Sequence, residues 1–175
     1  MKKILKKKFN KIGILGGTFD PPHIGHLSIA QISLKKFKLN KLLWIVTKKN
    51  PLKNKPFLSK KKRIKLSKII TKKERKIFVK YFDDKIKSTN TFNILNYIKK
   101  QNPKSKLFFL IGADNLKKFH QWSNWKLIPS LAKIVVFPRE KYSIKSINSK
   151  ILKKLSKKYF IFIKIKKINI SSSLI

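Results

Sequence analysis

Short β-branched and aromatic runs alternate along the chain with longer, lysine-spaced stretches whose apolar residues recur three or four positions apart. The short runs predict strands at residues 11–16, 42–47, 77–82, 106–111 and 133–137, with a sixth at 159–165. The helical period fits residues 24–37, 59–70, 91–100 and 147–157. Strands alternating with helices predict an α/β architecture, a mostly parallel central sheet flanked by helices. Pro51, Pro56, Pro103, Pro129 and Pro138 fall between these elements, where a missing N–H does least harm. No internal repeat and no linker divides the sequence, so residues 1–175 read as one domain.

Composition adjusts this picture in two places. A chain of 175 residues with 42% hydrophobic and 11% aromatic content can bury a real core, which excludes a disordered polymer even at 30% charged residues. The formal net charge of +40 first suggests a binder of nucleic acid or anionic membranes. Yet of 46 basic residues only Arg63, Arg75 and Arg139 are arginine, the side chain on which direct base readout leans most. Lysine, isoleucine and asparagine are abundant together, as a coding bias toward A and T would produce, with lysine filling solvated positions. A selected polyanion surface stands beside that compositional reading, and no specific nucleic-acid partner is expected. The absence of cysteine excludes disulfides and thiolate metal sites. The basic N-terminus has no apolar run long enough for a signal-peptide core, and no stretch approaches a membrane span. A cytoplasmic protein with no membrane partner is expected.

The scarce residues carry the chemical information. Four of the five glycines, two of the three histidines and one of the six acids gather in and just before segment 16–26, GGTFDPPHIGH, at the end of the first strand. Ligands of open α/β sheets bind outside the carboxyl ends of the strands, and this is such a strand-to-helix turn in a single Rossmann-like domain. Gly16 and Gly17 allow close approach of backbone and ligand. Pro21 and Pro22 are expected to start a helix whose free N–H groups favour phosphate. His23 and His26, three apart, share a face of its first turn, and Gly25 between them leaves room for a bulky group.

Spacing tests the alternatives. The dinucleotide fingerprint and the P-loop are both absent, and H-x-x-H lacks the glutamate and further ligands of a zinc site, so no protein-held metal is expected. Two histidines falling on one helix face by chance remain the plain alternative. Phosphoryl or nucleotidyl transfer suits the cluster, because that chemistry is mostly positioning and charge stabilisation. An attacking phosphate monoester, with a second pKa of about 6, needs no general base.

GGTFDPPHIGH resembles the signature of the nucleotidylyltransferase superfamily, His23-Ile24-Gly25-His26 being its HxGH element. The remainder is similar to the bacterial nicotinate-nucleotide adenylyltransferases. The similarity runs through Leu43-Trp44-Ile45-Val46-Thr47 with Asn50-Pro51-Leu52-Lys53, through Ile111-Gly112-Ala113-Asp114-Asn115 with Phe119 and Trp122, and through Ile170-Ser171-Ser172-Ser173-Leu174-Ile175, which resembles the start of an ISSTxIR element. This resemblance implies adenylyl transfer from ATP, accompanied by Mg2+, to nicotinate mononucleotide. It implies that His23 and His26 contact the ATP phosphates, that Gly16, Gly17, Thr18 and Phe19 cradle nucleotide with their backbone, and that Ser172 and Ser173 bind phosphate. On the acceptor side it implies Asp114 at a ribose, Trp122 stacked on the pyridine ring, and backbone near Thr91 and Ser123 meeting the carboxylate.

On spacing alone, Trp122 and Trp125 could be core packing, Asp114 a helix cap, residues 171–173 a frayed terminus and His120 a surface group. The sequence departs from the pattern at Asn93, Ile94 and Glu140. It also reaches Ile175 before the arginine that follows in ISSTxIR, which leaves Lys53 as a candidate replacement cation. Rival readings are an adenylyltransferase for nicotinamide mononucleotide or for phosphopantetheine, whose branch carries threonine at the position of His23, and a basic nucleic-acid-binding protein that has lost catalysis.

Overall fold

Six strands, β1 (Lys11–Gly17), β2 (Lys41–Val46), β3 (Ile77–Lys80), β4 (Lys106–Gly112), β5 (Lys133–Phe137) and β6 (Phe160–Phe162), form one sheet in the spatial order β3-β2-β1-β4-β5-β6. The computed structural model describes residues 10–49, 55–138, 151 and 154–164. All five strand pairings are parallel, so the sheet expected to be mostly parallel is wholly so among the described strands. Parallel neighbours need crossovers. These contain α1 (Ile24–Lys36), α2 (Lys60–Ile70), α3 (Asp83–Ile86), α4 (Thr91–Gln101), α5 (Ala113–Lys117) and α6 (Ile128–Leu131). None of the described helices is long and apolar enough to cross a membrane.

Period-two alternation sends successive strand residues to two separate cores. Ile12, Ile14, Leu43, Ile45, Phe109, Ile111, Ile134 and Val136 pack on one face with Leu95 and Ile98 of α4. Leu15, Leu42, Trp44, Val46, Leu110, Val135 and Phe137 pack on the other with Leu27 and Ala30 of α1. Gly13 faces this second core so closely that an added Cβ would lie 2.6 Å from Cδ1 of Leu39 and 3.2 Å from Cδ1 of Leu42. Both leucines are buried and have little room to yield. Gly13→Ala is therefore expected to destabilise the protein by about 1–3 kcal/mol through overpacking, read as a lower urea midpoint at unchanged m-value.

The sequence-based boundaries move at several ends. The third strand, expected over 77–82, stops at Lys80, because the acidic pair Asp83 and Asp84 opens α3 immediately after Phe82. The sixth strand, expected over 159–165, is confined to Phe160–Phe162 after a tight helical turn at Lys157–Tyr159, and residue 165 lies outside the described residues. Of the helix expected over 147–157, only 151 and 154–157 are described; Ile151 and Lys154 are helical, and Lys157 already belongs to the tight turn. The four- and five-residue helices α3, α5 and α6 escape periodicity because they are too short to show one.

Candidate active site

The strand order reverses direction between β1 and β4, and the cavity lies at the carboxyl ends of that pair. It has a volume of about 440 Å³ and takes its walls from β1 and the loop after it, the end of β2, the start of α4, the end of β4 and the turn around Trp122. Ten of the sequence-predicted residues meet in its lining: Gly16, Gly17, Thr18, Phe19, His23, His26, Thr91, Asp114, Trp122 and Ser123.

The histidine pair is built differently from the expectation. α1 starts at Ile24, not at the prolines, and His23 is its N-cap, preceded by Pro21 and Pro22 with the Asp20–Pro21 peptide bond in cis. Nδ1 of His23 accepts the Gly25 N–H at 3.2 Å, and Nδ1 of His26 accepts the His23 N–H at 3.3 Å. This is a reciprocal capping box made of two imidazoles in place of a hydroxyl and a carboxylate. The backbone N–H of His26 also bonds to the His23 carbonyl at 3.0 Å. The Gly25 and His26 N–H groups, helix-start donors expected to be free for phosphate, are thus committed within the turn. With Nδ1 of both rings acting as acceptor, the neutral rings carry their proton on Nε2. The ring centroids stand 3.8 Å apart. Gly25 is buried and does not line the cavity; its N–H supports His23.

Phe19 takes a backbone φ of 50°, the left-handed region unusual for an aromatic residue, and its ring is buried. That ring stacks on Trp44 at 4.5 Å and meets His26 edge-on at 5.0 Å. Phe19 is part of the cavity lining, and its side chain braces the histidine. Trp122 packs against Phe119 at 5.2 Å and Phe109 at 6.1 Å while lining the cavity, so one residue belongs both to the core packing and to the cavity wall. Trp125 contacts Phe119 and is absent from the lining. Asp114 lies in the first turn of α5, straight after β4, and lines the cavity. Thr91 opens α4, where the departure at Asn93 is a structural contact, its amide donating to Ser88 at 2.8 Å, and Ile94 is buried core. Lys53, Ser172, Ser173 and the segment 170–175 lie outside the described residues, as does Glu140.

Sequence reasoning missed the scaffold that holds these loops. Arg63 of α2 is 2% exposed, and its guanidinium donates to the carbonyls of Thr18, Thr47 (2.7 Å), Lys48 (3.1 Å) and Leu58 (3.1 Å). One side chain thereby ties together three segments around the cavity. Burial lowers its pKa from the ordinary value, opposed by the negative charge of Asp20 and Asp83 and by Tyr81. Asp20 accepts the N–H groups of Phe57 and Leu58, one on each oxygen. Buried Asp83 accepts the Lys48 N–H at 2.6 Å, and burial pushes its carboxyl above the usual range although that hydrogen bond favours the charged form. The available signal for Arg63 was its rarity, an arginine kept in a chain that otherwise uses lysine.

Two histidines, a glycine-rich loop and an aromatic wall thus meet at the reversal point of an open, parallel α/β sheet, the place where such folds bind ligands. The chain belongs to the cytidylyltransferase-like family, whose model matches residues 14–175. Within it the chain sits among the nicotinate-nucleotide adenylyltransferases. A protein of Pelagibacter ubique (strain HTCC1062) named "Probable nicotinate-nucleotide adenylyltransferase" is 43% identical over 97% of this chain and 93% of its own length. One of Ruegeria sp. (strain TM1040) with the same name is 38% identical over 73% of this chain and 67% of its own. The fold is also that of Plasmodium falciparum nicotinic acid mononucleotide adenylyltransferase, solved complexed with NaAD, which matches with a TM-score of 0.74 at 22% identity over 91% of this chain and 77% of that one.

Proposed function

We propose that the protein joins nicotinate mononucleotide to the adenylyl group of ATP, giving nicotinate adenine dinucleotide and pyrophosphate. What supports this reading most is the imidazole capping box, which sets His23 and His26 side by side in the lining of a cavity that Trp122 also lines. An oxygen of the acceptor's 5′-phosphate attacks the α-phosphorus of ATP in line. As that P–O bond forms, the bond from the α-phosphorus to the β-phosphate bridge breaks, and its electron pair leaves with pyrophosphate. No proton must move, because the acceptor phosphate is already largely dianionic at neutral pH. His23 and His26 donate to phosphoryl oxygens whose charge rises in the transition state, where preorganised donors are worth most. Among the described residues no group of three or more His, Asp or Glu side chains is placed to hold a metal ion, and both Asp20 oxygens already accept N–H bonds. Magnesium therefore enters this proposal with ATP, as part of the substrate complex. A cytoplasmic location belongs to the same proposal.

Trp122 as platform, with backbone near Thr91 and Ser123 meeting the acceptor's carboxylate, makes acceptor choice the test. Backbone N–H groups placed for a carboxylate are left unsatisfied by an amide N–H₂, a mismatch of about 1–3 kcal/mol per buried group. A preference of at least about tenfold in kcat/KM for nicotinate over nicotinamide mononucleotide is expected, with no transfer to phosphopantetheine. Trp122→Ala should raise KM for the acceptor more than for ATP. Equal kcat/KM for acid and amide, measured by pyrophosphate release, would overturn the acceptor assignment.

A further inference from the structure

Among the described residues, one lysine belongs to the cavity lining of this highly basic chain. That residue is Lys49, and no other described Lys or Arg is in the lining. The backbone leading to it is fastened on several sides. The Thr47 N–H donates to the Gly17 carbonyl at 2.9 Å, the Thr47 and Lys48 carbonyls are both held by Arg63, and the Lys48 N–H is held by Asp83. A buried arginine and a buried aspartate thus fix the two residues immediately before Lys49, so its ammonium is carried by an anchored stem. The histidines approach from the helix after β1 and Lys49 from the end of β2, so their donors converge on the cavity from adjacent strand ends.

We propose that Lys49 is a phosphate-binding residue of this site, adding a full positive charge beside the two imidazoles. The inference rests on the reading of the cavity as a nucleotide site. Its ligand is either the polyphosphate of ATP or the 5′-phosphate of the acceptor. A lysine ammonium binds either as a point charge with three donors, which suits a phosphate whose orientation is set by other groups.

The test compares Lys49→Gln, Lys49→Arg and Lys104→Gln. Lys104 is exposed and precedes β4 at the opposite end of the sheet, so its loss changes net charge equally without touching the cavity. Lys49→Gln should raise KM by about tenfold for one of the two substrates, with a smaller change in kcat, as removal of a charge-assisted hydrogen bond does. Lys49→Arg should recover most of that loss, and Lys104→Gln should match the wild type. A rise confined to ATP places Lys49 at the polyphosphate, and one confined to nicotinate mononucleotide places it at the acceptor phosphate. Calorimetric titration with inorganic pyrophosphate and with nicotinate mononucleotide needs no turnover and separates this inference from the acceptor assignment. Weaker binding of either probe by Lys49→Gln than by Lys104→Gln supports the inference even where acceptor turnover fails. Equal binding of both probes by these two variants overturns it.

Discussion

Alanine at His23 or at His26 is expected to lower kcat by roughly 10²-fold or more, the loss that follows removal of a preorganised donor to a charged transition state. Each replacement also removes half of the capping box of α1, so a stability loss of about 1 kcal/mol accompanies it. The two effects separate with conservative variants. Asparagine is a good N-cap, and glutamine at the third helical position can complete a capping box. His23→Asn and His26→Gln should therefore retain most of the thermal stability while losing turnover, because neither amide reproduces the Nε2–H position of an imidazole. Near-normal kcat in both alanine variants would return the pair to a purely structural capping role.

Arg63→Met is expected to cause the largest loss of stability of any single change considered. The carbonyls of Thr18, Thr47, Lys48 and Leu58 lose their donor at once, in a position almost without solvent. Leaving buried polar groups unmatched costs about 1–3 kcal/mol each before relaxation, and loops can reach water after a shift, so a net loss of about 3 kcal/mol is anticipated. For a domain of this size that corresponds to roughly 10 °C in Tm. Arg63→Lys should recover only part of it, because an ammonium cannot reproduce the planar fork that reaches all four oxygens. An unchanged Tm in Arg63→Met would show that these loops hold without it.

The strands and long helices were legible because each carries enough alternating or helical repeats to outweigh local noise. β5 matches its expected range to the residue, and α2, expected from residue 59, starts one position later because Ser59 is its N-cap, its hydroxyl accepting the Lys62 N–H. The short helix at Asp83 gives no such periodic signal, nor does the turn at Trp122. Within the site, rarity worked well in segment 16–26, where glycine, proline and histidine stand out against lysine and isoleucine. The same criterion applied to arginine would have found Arg63. What sequence could not supply was the direction of the imidazoles. Spacing places two histidines on one turn, but only the backbone around His23 shows that both Nδ1 atoms face inward to the helix.

Among the described residues the cavity lining includes one lysine, Lys49, while the chain's other lysines are spread along its sequence. Steering of anionic nucleotides by the overall positive field would then affect association and its salt dependence more than the chemical step.

The most direct measurement follows the phosphorus. With ATP labelled at the α-phosphorus, magnesium and nicotinate mononucleotide, the label is predicted to appear in the dinucleotide, while β- and γ-labels leave together as pyrophosphate in equal molar amount. Transfer of the γ-label to the acceptor, or consumption of ATP with no α-label in a dinucleotide, would contradict adenylyl transfer at this site.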